Sequence, residues 1–597
     1  MIIMEKEIIL RKYYDLCQRL KSEVNSGGFW KGYLSTSALS TAVAIVALKV
    51  NGAPVDKERI KAGFDWLCKN INSDGGFGDT TNSLSNVSTT LLCYSAISYC
   101  QTEGSCSSLL QKMERWLSGN GIDLNPHTIT NTILKFYGKD YTFSVPILSM
   151  LTICGVIPES CINNIPRLPF ELAILPQRFY RFLNLGVVSY ALPALIGVGI
   201  YLHRAGKRTY GLYGKIRTLL IEPAIKKLEK LVPESGGFLE AIPLTGFVVM
   251  CLKAAGKSDN SIIEKGLEFL RRQQREDGGW SVDTDLSTWI TTLAIKAFGN
   301  DLRNQFDDMQ IQVLRKHILS LQYSVKHPFN GAKPGGWGWT NYSGSVPDAD
   351  DTSGAILALL EIYSEAEEEK RAIIDGCKWL ASLQNSDGGF PTFCKGWGHL
   401  PFDSSCPDIT GHAILASVRT KAVLSSYLTR KIRNKLDNCV NRAVKYLEKN
   451  QSINGEWVPL WFGNQQTADK TNPVYGTAKV CTYLIDSLKF ITSCTELSNR
   501  IRKMIRRAQD YLIESQNPDG SWGGGKGVAG SVEETALTLC ALAGENEEIC
   551  SKGIEWLEKQ DFEHASPIGL YFALLWYYEK MYPLIFSTEA FRRIASN

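Results

Sequence analysis

At 597 residues the chain is too long for one compact core and suits two domains. Its 44% hydrophobic content, evenly spread, argues against disorder, and a formal net charge of +4 is too small to point to a nucleic-acid partner. The 16 cysteines follow no metal-ligand or disulfide spacing, the usage of a reducing cytoplasm.

Residues 1–20 alternate charged and apolar side chains and do not read as a signal peptide. A glycine turn closed by an aromatic residue then returns along the whole chain. Its instances are Gly27-Gly28-Phe29, Gly75-Gly76-Phe77, Gly236-Gly237-Phe238, Gly278-Gly279-Trp280, Gly335-Gly336-Trp337, Gly388-Gly389-Phe390, Gly455-Glu456-Trp457 and Gly520-Ser521-Trp522. Gln274, Gln384, Gln451 and Gln516 stand ahead of their turns in the form Gln-x-x-x-Gly-x-aromatic. Stretches between turns, such as 372–383 and 439–447, carry apolar residues at helical spacing. Self-similarity on a scale of roughly 40 to 65 residues predicts helical hairpins stacked in a solenoid or closed ring. The glutamine is expected to bond a neighbouring backbone while the indole stacks over it.

Residues 183–202 are apolar apart from Asn184 and Ser189 and approach the length of a membrane span. A lone span there would put half of a repeating barrel on each side of a bilayer, so a buried barrel helix is expected. The Lys- and Arg-rich run 203–230 that follows suits a protein resting on one leaflet.

The densest chemical signal is Asp348-Ala349-Asp350-Asp351-Thr352, directly before an apolar helical segment. Carboxylates crowded together out of water cannot all ionise, so at least one should keep its proton above the ordinary Asp value of about 3.9. A buried neutral carboxylic acid can protonate a weak base. Two other readings stay open on these residues alone: acids stabilising a helix N-terminus, and magnesium ligands for a diphosphate. The run lacks the second aspartate pairing of a magnesium–diphosphate motif, and no metal or cofactor is expected.

Taken together, the Gln-x-x-x-Gly-x-Trp repeats and the Asp-x-Asp-Asp-Thr run resemble the class II triterpene cyclases, the squalene–hopene cyclase family. The similarity is strongest over 274–582. It implies an all-α fold of two α/α toroid barrels, one formed by 1–33 plus 268–597 and a second, 34–267, inserted into it. It also implies that Asp350 delivers a proton to an alkene, flanked by Asp348 and Asp351. Asp408-Ile409-Thr410-Gly411-His412 resembles the family's Asp-x-x-x-His, whose protonated histidine strengthens the acid. Matching positions give Trp289, Trp339, Phe393, Trp461, Tyr475 and Tyr571 as rings that steady the travelling cation. The implied partners are a polyprenyl hydrocarbon such as squalene and the cytoplasmic surface of a membrane, with a homodimer left open.

Departures from the family pattern cluster away from the acid. The first-repeat glutamates are replaced by the stretch Leu34 to Ala42, Ile242 stands before Pro243, Ile290 follows Trp289, and Pro567 replaces a phenylalanine. Residues 463–473 are an insertion. These changes predict a product other than hopene. Three other functions remain in competition: a cyclase of another polyprene or prenyl diphosphate, a zinc prenyltransferase subunit using Cys406 and His412, and a non-catalytic binding barrel.

Overall fold

A computed structural model describes residues 2–101, 106–138, 141–175, 191–206, 211–257, 260–393, 403–491, 495–569 and 575–596. About 63% of it is helical, and its one sheet pairs Thr36–Ser37 with Trp280–Ser281. In the larger unit six inner helices close a ring: Ser287–Phe298, Ala349–Glu361, Pro407–Val423, Pro473–Leu488, Val532–Leu542 and Met581–Ala595, the last packing back on the first. Outer helices, among them Ile2–Ser22, Glu367–Leu383, Arg430–Asn450 and Glu496–Glu514, pack around it. A second ring is formed by Ala38–Asn51, Val87–Cys100, Tyr141–Ile153, Leu192–Ala205 and Ile242–Ala254. The fold is an all-α arrangement of α/α toroids.

Each repeat turn is tied at three points, and these ties set the ring. Gln451 Nε2 donates to Gly455 O at 2.8 Å within its own turn and to Met504 O at 3.0 Å on the next outer helix. Gln384 does the same with Gly388 O and Cys439 O, and Gln516 with Gly520 O and Ile549 O. Trp457 donates its ring N–H to Leu447 O at 2.9 Å, and Trp337 and Trp522 donate to Ile318 O and Leu512 O. The ring N–H thereby adds a second donor to a helix-end carbonyl that also accepts a backbone N–H. The aromatic residue's backbone N–H goes to a threonine on the following inner helix: Trp337 to Thr352, Phe390 to Thr410, Trp457 to Thr477 and Trp522 to Thr535. Glycine is required at the turn: Gly455 has φ +104°, and a Cβ there would lie 2.1 Å from Arg507 O.

Two of these ties join stretches far apart in sequence. Trp30 N donates to Thr291 Oγ1 at 3.1 Å, whereas Trp280 N donates to Thr41 Oγ1 at 3.0 Å. The turn at Trp30 thus serves the helix Ser287–Phe298, and the turn at Trp280 serves Ala38–Asn51. The apolar interior follows the same division, with Tyr13, Trp30 and Trp289 in one cluster and Ala38, Phe77 and Trp280 in another.

Within the stretch 183–202, the described part begins at Ala191. The helix Leu192–Ala205 is buried in the second ring, and no helix among the described residues is long and apolar enough to cross a membrane. Residues 176–190 lie outside the described set.

Removing one tie should loosen the ring without altering the site. Gln451→Ala leaves two buried carbonyls without their donor and is expected to lower stability by about 1–3 kcal/mol. Urea unfolding of the full chain measures this, and the secondary structure of the folded protein should be unchanged.

Candidate active site

The inner helices present their N-termini to a cavity of about 350 Å³ between the two units. Asp348 caps the helix Ala349–Glu361, its backbone N–H bonding Trp337 O at 3.0 Å and its Oδ1 accepting from Asp351 N at 2.8 Å. The threonine tie at Thr352 therefore fixes where the acid run sits. Asp348, Asp350 and Asp351 all line the cavity, as does Asp408 from the first turn of Pro407–Val423. Helix N-termini favour negative charge, but burial opposes it.

Burial prevails over much of the acid set. It pushes the Asp348 carboxyl up to about 7, although Asp351 N–H and the capping geometry pull the other way. It raises Asp351 well above the ordinary carboxylate range, with Asp348's charge adding to the effect. The two share a proton deficit that keeps one of them neutral near pH 7. Asp408 is pushed up to about 6, by burial first and then by Asp350.

Asp350 retains 17% side-chain exposure, and its Oδ1 lies 2.6 Å from His412 Nδ1. The sequence-predicted pair is thus brought together. Burial holds His412 below its ordinary value despite the pull of Asp350. Asp408 accepts from Cys406 Sγ and makes no described bond to His412. His412 is instead sandwiched by rings, stacked on Tyr483 at 4.5 Å and edge-on to Trp289 at 6.2 Å.

Of the predicted rings, Trp289, Trp339, Phe393 and Trp461 line the cavity. Trp339 and Trp461 contact Phe393 at 5.8 and 5.3 Å, making a continuous aromatic wall. Tyr475 stands behind that wall, 1% exposed and packed on Phe462 at 4.6 Å. Tyr571 lies outside the described residues. Six lining rings were missed: Tyr137, Phe143, Phe247, Phe462, Tyr577 and Tyr582, the last accepting from Trp289 Nε1 at 3.1 Å. Tyr577 and Tyr582 follow no repeat turn, so no spacing marked them. Asp283, 3.4 Å from Trp339 Nε1, was also missed, as was Lys479, a buried amine among the inner rings.

The departures fall differently from expectation. Ile242 is fully buried in the apolar cluster of the second ring, and its neighbour Pro243 lines the cavity instead. Ile290 is core. Pro567 is absent from the cavity lining among the described residues, its flanking Ser566 N donating to Glu533 Oε1. The inference from Ile242 and Pro567 to product therefore loses its footing. The insertion 463–473 ties the units: Gln465 Oε1 accepts from Leu84 N, and Asn464 and Asn472 both donate to Glu534 Oε1.

Raised carboxyls have a testable consequence. Their folded values exceed the unfolded ones, so their stabilising contribution is complete below about pH 4 and is lost as pH rises through 6 to 7 for Asp408 and Asp348. Asp348→Asn keeps a good N-cap and removes one ionisation. At pH 8 it should raise the thermal midpoint by about 2–4 °C, the shift that ~1 kcal/mol gives in domains of this size, and at about pH 3.5 the difference should vanish. Thermal unfolding at the two pH values measures it.

Residues 285–566 match the squalene-hopene cyclase C-terminal domain, and residues 5–127 match the prenyltransferase alpha-alpha toroid domain. The squalene hopane cyclase of Aspergillus fumigatus is 28% identical over 606 residues, covering 84% of this chain and 76% of its own. Enfumafungin synthase of Hormonema carpetanum is 24% identical over 56% of this chain, and sporulenol synthase of Bacillus subtilis 33% identical over 25%. The matched stretches span 26% and 23% of those two proteins' own lengths. With an Asp-x-Asp-Asp run on an inner helix and an aromatic wall facing it, the chain carries a squalene-hopene cyclase C-terminal domain over 285–566 and is a low-identity relative of the squalene–hopene cyclases.

Proposed function

We propose that the chain cyclises an apolar polyprene, squalene or a similar C30 polyene, to a cyclic triterpene by proton-initiated catalysis. The observation that carries this reading is the Asp350 carboxyl, bonded to His412 on one side and open to an aromatic-walled cavity on the other. The names of the relatives above support the substrate class. So does the site: with its proton on Nδ1, His412 would donate to Asp350 Oδ1 and leave the second carboxyl oxygen to carry the proton toward the cavity.

The reaction then balances without a co-reactant. The O–H bond of Asp350 breaks as the π pair of the terminal alkene forms a C–H bond, leaving a tertiary cation. Successive π pairs close rings, and the positive charge passes along the faces of Trp289, Trp339, Phe393 and Trp461. Loss of a proton from carbon or capture of water ends the cascade, and Asp350 regains a proton from solvent. Asp351, kept neutral by burial, spares the donor one of the two adjacent negative charges that would weaken it. The division into a catalytic barrel, 1–33 plus 268–597, and an inserted barrel, 34–267, is part of the same proposal, supported by the two separate cores, although Phe269, Leu270 and Trp280 pack in the core of the inserted barrel.

A peripheral membrane position is also proposed. On the short helix Leu212–Leu219, Leu212 and Leu219 are 78% and 77% exposed, and Tyr213 and Ile216 are exposed beside them. An apolar substrate leaves a bilayer reluctantly, at about 0.8 kcal/mol per CH₂, so a cavity reached from the leaflet suits it. The double variant Leu212→Glu, Leu219→Glu should bind liposomes at least about tenfold more weakly in flotation assays, since each buried apolar side chain contributes roughly 1.5–3 kcal/mol. Unchanged binding would remove this helix from the contact.

The central test is Asp350→Asn. An amide fits the same space and cannot protonate an alkene, so squalene turnover should fall by at least about a thousandfold, within the range that removal of a general acid typically costs. Circular dichroism and thermal midpoint should match the parent. Turnover within about tenfold of the parent would take the donor role from Asp350. A chelator-sensitive activity restored by magnesium or zinc would instead favour the prenyl diphosphate or prenyltransferase reading.

A further inference from the structure

The proton-transfer site leaves a buried cation without an evident task. Lys479, 4% exposed on the helix Pro473–Leu488, has no hydrogen-bond partner for Nζ. It is surrounded by rings instead, with Nζ 5.1 Å from the centroid of Tyr483, 5.5 Å from Trp289, 5.8 Å from Phe586 and 6.0 Å from Tyr475. Tyr483 stacks in turn on His412, whose Nδ1 holds Asp350. Ammonium, phenol ring, imidazole and acid therefore lie in succession.

The other charges facing this point are largely cancelled. On Ser287–Phe298, Lys296 pairs with Glu589 at 2.9 Å, and Arg593 of Met581–Ala595 pairs with Glu589 and with Asp486 of Lys479's own helix. Pro407–Val423 contributes Asp408 and His412, and Ala349–Glu361 contributes Asp350. Cys540 and the buried Glu533 and Glu534 come from Val532–Leu542, and the phenols Tyr475, Tyr483 and Tyr582 stay protonated. Lys479 is thus a cation held near Asp350 by aromatic faces and by no carboxylate bond.

Burying an ammonium in this way is costly, and near a travelling carbocation it would repel. It helps at one step: proton donation converts Asp350 to a carboxylate, and a fixed nearby cation stabilises that product. We infer that Lys479 is a positioning residue whose ammonium, seated behind His412, stabilises the Asp350 carboxylate formed on proton transfer. The inference rests on the cyclase reading above. Burial holds Lys479 down to about 8, with Lys296 adding to the shift and Asp350 opposing it, so the ammonium predominates at pH 7.

Lys479→Met and Lys479→Arg decide the matter through two independent readouts. In squalene turnover, the methionine variant should lose at least about tenfold in kcat with KM little changed, one decade being the effect of a single pK unit of donor strength. Arginine, which keeps the charge, should recover most of the loss. Removing an unpaired buried charge should leave the thermal midpoint equal or higher, and if methionine lowers it, Lys479→Gln takes its place. The second readout needs no substrate: in ¹⁵N-histidine NMR, with the His412 signal assigned by its loss in His412→Gln, removal of Lys479 should move the His412 titration upward. A methionine variant within twofold of the parent, arginine as poor as methionine, or an unmoved His412 titration each overturns the inference. Failure of the wild-type chain to turn over any polyprene would overturn the cyclase reading instead, with the NMR result still deciding the electrostatic one.

Discussion

The structure depends on one backbone bond repeated around the ring: the N–H of each turn aromatic donating to a threonine hydroxyl on the next inner helix. That bond sets the height at which each inner helix begins. Because the helices start at one level, their positive ends converge on one cavity, where a chain of carboxylates, Asp348 through Asp351 and Asp408, can be seated. The threonine of Asp-x-Asp-Asp-Thr is therefore part of the scaffold, and the acids before it inherit their position from it.

The site sits where two opposing electrostatic effects meet. Helix ends and capping N–H groups favour ionised carboxylates, whereas withdrawal from water disfavours them. At Asp348, Asp351 and Asp408 the second effect is larger, so these groups ionise late. Lys479 is a cation on this side of the cavity, screened from the travelling charge by Trp289 and Tyr483. Acid strength and cation tolerance are assigned to different layers: charges behind, ring faces in front.

How much of this could be read from the chain depended on whether the determinant was local. The turns, their glutamines and the acid run were legible because each is a short motif with a fixed spacing, and Gln384, Gln451 and Gln516 make the backbone bonds their position implied. The Asp350–His412 contact spans 62 residues of sequence, and only the resemblance to a family joined the two. What remained hidden required several helices to converge. Tyr577 and Tyr582 reach the cavity from the segment around the last inner helix, and Lys479 looks like any helix lysine until the rings of three helices close around it. Ile242 shows the opposite error, a position judged by its neighbour in sequence although the cavity sees only Pro243.

Solvent labelling tests the central claim, that an enzyme acid starts the reaction by protonating an alkene, most directly. Squalene incubated with the protein in deuterium oxide, followed by mass and NMR analysis of the cyclic product, locates the incoming proton. The account predicts one deuterium on the ring carbon that had been the CH of the terminal double bond. A cyclic product with no deuterium at that carbon would contradict it.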